Sequence, residues 1–185
     1  MAVVLNNNKR RNFFVSYHHH SNFNFLNDLR EILHDRSLRD YGFKELDLGE
    51  SSKYGISRYI QYRIWSSSIT VVLVGDQTGE SDWIDWEIWY SLRNISAHGS
   101  AKRVFKPKGI VALFLPVDFH NVPKRLQANL DSGYALRLNW EDLDKDFYAC
   151  LERAYLNRKN VHLIKNGRIP KINPQSYFSR FLNWF

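Results

Sequence analysis

The segment at residues 69–75 constrains the fold more than any other part of the chain. It reads ITVVLVG, so apolar and mostly β-branched residues occupy both sets of alternating positions. A strand that is apolar on both sides is typical of the interior of a parallel sheet, whose two faces are covered by helices. The segment therefore predicts an α/β fold with this strand in the interior of the sheet.

The rest of the chain alternates short apolar runs with longer helical patterns, as parallel α/β proteins do. These patterns predict four further strands, at residues 12–17, 44–48, 109–115 and 135–138. They predict helices at residues 22–35, 56–65, 82–94 and 141–158. Loops are predicted at residues 49–55 and 116–129. We expect a flavodoxin-like, doubly wound sheet of five parallel strands, in which ligands bind beyond the carboxyl ends of the strands. This domain spans residues 1–158. The aromatic-rich residues 159–185 are expected to form an extension that packs on the domain or on a partner.

Composition narrows the class of protein. With 44% hydrophobic residues the chain can form a buried core, and its longest apolar runs are too short to cross a bilayer. Residues 1–5 are apolar, but asparagines and basic residues follow at once, which is not the order of a secretory signal. A single cysteine, Cys150, suits a reducing compartment, so we expect a cytoplasmic protein. The net charge of +7 leaves a nucleic-acid ligand open, although the basic residues are scattered and carry no nucleic-acid-binding motif.

Several familiar catalytic signatures are absent from the sequence. It contains no GxGxxG, P-loop or GxSxG motif, so a tightly held Rossmann cofactor, ATP hydrolysis and a hydrolase nucleophile elbow are not expected. The three adjacent histidines at residues 18–20 cannot all point at one ion, and no further ligand stands at metal spacing. We therefore expect no metal site and interpret the histidines as a polar loop over the site, in which one imidazole could contact a phosphate.

Glu87 is the candidate catalytic residue. It lies one helical turn after Trp83, near the start of the helix that follows the central strand. A carboxylate in a partly apolar pocket beside an indole suits the stabilisation of a ribosyl cation, or the acceptance of a proton from an attacking hydroxyl. The alternative is a solvated helix glutamate, which is the commoner role for this residue type.

Substrate contacts are predicted for side chains near the carboxyl ends of the strands and at the helix start. Ser16 could donate a hydrogen bond to a ligand hydroxyl or merely satisfy its own backbone. Asp47 could line a nucleotide pocket or cap the next helix. The full predicted set is Ser16, Tyr17, His18, Asp47 and Trp83.

Two stretches of the chain resemble TIR domains. Residues 13–22, FFVSYHHHSN, are similar to the opening strand and loop of these domains. Residues 66–93 are similar to their third strand and third helix, where Ser-x-Trp-x-x-x-Glu ends in the catalytic glutamate; Ser81, Trp83 and Glu87 fall on that pattern. Ile84 stands where other TIR domains commonly have cysteine. The stretches SYHH, VLVG and WIDWEIWYSLR are most similar to the TIR-like proteins of the bacterial Thoeris anti-phage system, the ThsB type, and the resemblance covers residues 12–140.

The resemblance implies an enzyme that responds to phage infection and consumes NAD⁺ as a substrate, without a resident cofactor. Nicotinamide would leave, and a signalling derivative of ADP-ribose would activate a separate effector. A phage-derived trigger and an assembly of several copies are the implied partners. Because bulky side chains (Tyr17, residues 18–20, Trp83 and Trp86) are expected to wall the cleft and exclude water, we expect a cyclised or conjugated product rather than plain ADP-ribose. Two alternatives stay open: a catalytically silent TIR adaptor and a nucleic-acid-binding module.

Overall fold

Helices connect the strands of the main sheet along the described chain, as the sequence predicts. The structure is a computed structural model that describes residues 11–19, 21–34, 53–96 and 104–172. Its main elements, in chain order, are β1 (Phe13–Ser16), α1 (Phe23–His34), α2 (Lys53–Ser66), β2 (Ile69–Val74), α3 (Asp82–Ser91), β3 (Ile95–Ser96), β4 (Val104–Phe105), β5 (Gly109–Phe114), α4 (Lys124–Asp131), β6 (Ala135–Asn139) and α5 (Leu143–Asn157).

A parallel sheet of four strands, in the order β1-β2-β5-β6, forms the centre of the described chain. The strand β2 lies between β1 and β5, which explains why both of its faces are apolar. The parallel α/β fold is therefore confirmed. Of the five predicted strands, the one at residues 44–48 lies outside the described residues. A short antiparallel pair of β3 and β4 was not predicted.

Both faces of the sheet are covered by helices. On one face, Val71 and Leu73 pack in a core with side chains of α1 and α5, such as Leu29 and Phe147. On the other face, alternate residues of the same strands pack against α3 and α4; this core includes Val72, Val74, Ile84, Ile88, Leu92 and Leu126. The period of two along each strand thus separates two apolar cores, one on each side of the sheet.

One predicted loop contains a helix. Residues 116–129 were predicted to be a loop because of their prolines and basic residues, but α4 begins at Lys124, directly after Pro123. A proline is compatible with the start of a helix. Leu126 and Leu130 are four residues apart, so they lie on one side of α4 and pack on the sheet. The prediction was wrong because this apolar stripe spans only two turns.

Element boundaries differ from the prediction at three further helices. The helix α2 begins at Lys53, so the end of the predicted loop at residues 49–55 is helical; its Gly55 is tolerated there. The helix α3 ends at Ser91 rather than at residue 94. A 3-10 turn, Trp140–Asp142, precedes α5 where one continuous helix was predicted. None of the described helices is long and apolar enough to cross a membrane.

After α5 the chain returns across α3 and α4. Leu163 and Ile164 pack against the core on that face of the sheet. The Asn129 side chain bonds both the carbonyl and the amide of Lys165, at 2.9 and 3.0 Å, and Asn166 donates to the carbonyl of Trp89 at 3.0 Å. The predicted extension at residues 159–185 stays a prediction as a unit, because its aromatic residues from 177 onward lie outside the described residues.

Candidate active site

The helix α3 presents Glu87 toward the sheet rather than toward solvent. Ser81 caps the helix, since its side chain accepts a hydrogen bond from the amide of Ile84 at 3.3 Å. Ile84 and Ile88 dock on the sheet, and Trp86 packs in a neighbouring apolar cluster. Glu87 lies between these two apolar stripes and is only 8% exposed. It is therefore not a solvated helix glutamate.

The strand β1 places a hydroxyl directly beside this carboxyl group. Side chains alternate along the strand, so Phe14 and Ser16 point to the face on which α3 lies. The Ser16 hydroxyl, itself 1% exposed, donates a hydrogen bond to Oε2 of Glu87 at 2.5 Å. The structure thus brings together two of the predicted site residues, at the carboxyl end of β1.

Burial dominates the electrostatics of this carboxyl group. It raises the pKa of Glu87 from 4.5 to about 7, because the charged form loses solvation, and the hydrogen bond from Ser16 opposes the rise. Within the part of the chain that the structure describes, no lysine or arginine pairs with Glu87. Near neutral pH the group can therefore both hold and release a proton.

Two further predicted contacts follow Ser16 in the chain. The Tyr17 ring stacks with that of His19, with centroids 6.1 Å apart. Nδ1 of His18 lies 3.0 Å from the hydroxyl of Ser21. Asp47 and the third histidine, His20, lie outside the described residues.

The tryptophans of α3 differ in their placement. Trp83 is half-buried and meets Trp86 edge to face, with ring centroids 5.7 Å apart. Trp86 is fully buried and stacks on Tyr90 in a cluster with Phe14 and Phe105. The prediction that Trp86 walls the cleft is therefore wrong: residues 86 and 90 form one stripe of α3 that packs inside the molecule.

Sequence reasoning missed a polar network that joins the loops after β1 and β2. Thr78, fully buried, accepts a hydrogen bond from the amide of Gly75 at 2.8 Å and donates to the carbonyl of Leu73 at 3.1 Å. Asn22 donates to the Thr78 hydroxyl at 3.3 Å, and Ser21 donates to Asn22 at 3.1 Å. The network thereby links the segment that carries His18 to the turn that leads into α3. No sequence motif predicted this network, because its members are ordinary polar loop residues.

Among the described residues, no group of three or more His, Cys, Asp or Glu side chains could hold a metal ion. Within the described part of the site, the arrangement is a buried carboxyl group with a hydroxyl donor. Such a pair can stabilise a cation or move a proton.

Comparison with known proteins gives the family. The model of the TIR-like domain of Thoeris protein ThsB matches residues 14–113, which include Ser16 and Glu87. The TIR domains in the structure of the activated Roq1 resistosome directly recognizing the pathogen effector XopQ are similar in fold at 17% sequence identity, over 94% of this chain and 98% of that chain, with a TM-score of 0.42. A comparison with curated proteins returns no match. Because the family model covers more than half of the chain, the chain belongs to the TIR-like domains of Thoeris protein ThsB.

Proposed function

We propose that this domain cleaves the bond between nicotinamide and ribose in NAD⁺, with Glu87 as the catalytic carboxylate. The observation that carries the proposal is a buried carboxyl group at the carboxyl edge of the sheet, bonded by Ser16 and without a cationic partner among the described residues. A structural glutamate at this depth would be expected to pair with a cation. A carboxylate that binds a positive charge on a ligand would not be expected to have such a partner within the protein.

Cleavage of the bond between nicotinamide and ribose requires one negative charge in a site of low polarity. When the bond breaks, its electron pair leaves with the nicotinamide nitrogen, and positive charge develops on the ribose. A carboxylate fixed beside the ribose stabilises that charge more strongly than water would, because the protein has already oriented it. An oxygen nucleophile then bonds to the anomeric carbon, and its proton passes to Glu87.

The raised pKa suits the second half of this cycle. Burial holds the pKa of Glu87 at about 7, so its carboxylate accepts a proton from the nucleophile far more readily than an exposed glutamate would. The same group releases the proton again near neutral pH. NAD⁺ is then a substrate and not a resident cofactor.

The product proposed is a cyclised or conjugated ADP-ribose that carries a signal to a separate effector. Membership of the Thoeris family supports a role in anti-phage defence, in the cytoplasm, with a phage-derived trigger and an assembly of several copies. Of the aromatic side chains expected to wall the cleft, Tyr17 and Trp83 are partly exposed, whereas Trp86 is fully buried. We expect low activity from the isolated monomer and higher activity after triggering.

Mass spectrometry of NAD⁺ incubated with the full chain tests the proposal, with and without lysate of phage-infected cells. The parent protein and Glu87→Gln are compared with Glu141→Gln, which makes the same chemical change at an exposed glutamate. We expect release of nicotinamide from the parent and Glu141→Gln, and almost none from Glu87→Gln. Equal turnover by Glu87→Gln would refute the assignment. No turnover by any of the three, with lysate present, would favour the silent adaptor.

A further inference from the structure

A cavity whose lining does not include Ser16 or Glu87 lies against the amino-terminal turn of α3. It has a volume of about 560 Å³, which is in the usual range for sites that take small molecules. Three segments enclose it: residues 79–85, the first turns of α4 from Pro123 onward, and the returning chain at residues 164–171.

The lining of this cavity is strongly unbalanced in charge. Five of the lining side chains are cationic: Lys124, Arg125, Lys165, Arg168 and Lys171. Two are carboxylates, Asp82 and Asp85. Two of the cations already neutralise the two carboxylates. Arg125 pairs with Asp85 at 2.9 Å, and Lys171 pairs with Asp82 at 3.2 Å.

Arg125 lies at the base of the cavity, where its guanidinium bonds to the protein itself and is not a candidate to bind a ligand. Its side chain is 4% exposed, and it donates to Asp85, to the side chain of Asn166 at 2.8 Å and to the carbonyl of Arg168 at 2.7 Å. These bonds hold the returning chain in place. They thereby fix the positions from which Lys165 and Arg168 extend.

Three cations remain for a ligand. Among the described residues, no carboxylate pairs with Lys124, Lys165 or Arg168, and all three are exposed. The amino end of α4 lies at the same cavity and has no side-chain cap, so its first amides add positive potential. None of the lining side chains that the structure describes is aromatic, so those side chains offer no surface on which a base could stack.

From this charge and shape we infer that the cavity binds a phosphorylated small molecule through its phosphate groups. A pyrophosphate moiety matches three cations at one cavity better than a ligand with a single carboxylate does, since pyrophosphate carries more charge and more acceptor oxygens. The cavity is distinct from the proposed NAD⁺ site, and the inference does not depend on that proposal.

Calorimetric titration of the full chain with inorganic pyrophosphate at physiological ionic strength tests the inference. The double variant Lys165→Ala/Arg168→Ala removes two of the three cations. Lys145→Ala/Arg153→Ala is the matched control, because it removes one exposed lysine and one exposed arginine from α5. Lys124→Glu probes the same cavity from α4.

We expect the parent and the control to bind pyrophosphate equally well. The dissociation constant should rise by about tenfold or more in both cavity variants, which corresponds to the loss of at least one charge-assisted contact. Absence of binding by the parent would overturn the inference, as would equal weakening by the control. Tighter binding of single-stranded DNA than of pyrophosphate, lost in the same variants and steeply dependent on salt, would instead identify a nucleic-acid surface and overturn it.

Discussion

Replacement of Glu87 by glutamine should stabilise the fold while it removes activity. Glutamine keeps the shape of the side chain, and its carbonyl can still accept the hydrogen bond that Ser16 donates to Oε2. The change removes the charge whose burial raises the pKa of Glu87 from 4.5 to about 7. Because burial disfavours the charged form of Glu87, replacement by a neutral glutamine should raise the free energy of unfolding.

The size and pH dependence of this cost follow from the pKa difference. Below pH 4.5 the carboxyl is protonated in both states, and its ionisation costs the fold nothing. Between 4.5 and about 7 the folded protein binds more protons than the unfolded chain, so the free energy of unfolding falls as the pH rises. A difference from 4.5 to about 7 corresponds to roughly 3 kcal/mol once the pH is above both values.

Urea denaturation of parent and Glu87→Gln at pH 5 and pH 8 measures this contribution. The advantage of the variant should grow by about 2 to 3 kcal/mol between the two pH values. Glu141→Gln is the control, and its advantage should stay constant because that side chain is exposed. If the stability difference between Glu87→Gln and the parent were also the same at both pH values, burial would not raise the pKa of Glu87, and the electrostatic argument would be refuted.

Three further predictions concern activity and the loops. If the ionised carboxyl is the active form, kcat/KM for nicotinamide release should rise with pH through a value near 7; a flat profile between pH 5 and 8 would contradict the role of Glu87. Trp83→Ala should raise the share of plain ADP-ribose among the products seen by mass spectrometry, whereas Trp65→Ala, an exposed tryptophan on α2, should leave that share unchanged; an equal change in both would contradict the wall argument. Thr78→Val should lower the free energy of unfolding by about 1–3 kcal/mol, because it removes the acceptor of the buried Gly75 amide and one of the donors to the carbonyl of Leu73. Thr78→Ser should restore most of it, and failure of that rescue would count against the hydrogen bonds.

Much of the fold could be predicted because local patterns reflect which side of an element is buried. The apolar residues on both faces of β2 predicted its position inside the sheet, and the structure confirms it. In α3, the stripe of Ile84, Ile88 and Leu92 and the cap at Ser81 also obey periodicity and capping chemistry. The helix α4 escaped the prediction because it has two turns and little periodic signal. The pattern of Ser81, Trp83 and Glu87 is also local, and it carries the resemblance to TIR domains that the match over residues 14–113 confirms.

The environment of those residues was decided only by tertiary packing. Ser16 and Glu87 are 71 positions apart, and their hydrogen bond exists because β1 and α3 meet on one face of the sheet. Whether a helix glutamate is solvated or buried depends on what packs against it from distant elements, and so does its pKa. The same holds for Trp86, which turns inward, and for Arg125, whose partners lie forty or more positions away. The sequence by itself determined most of the elements and their apolar faces, and it indicated Glu87 as the candidate carboxylate. Only the assembled fold decided the burial and proton affinity of that carboxyl group and formed the basic cavity between α3, α4 and the returning chain, because these depend on contacts between segments remote in the chain.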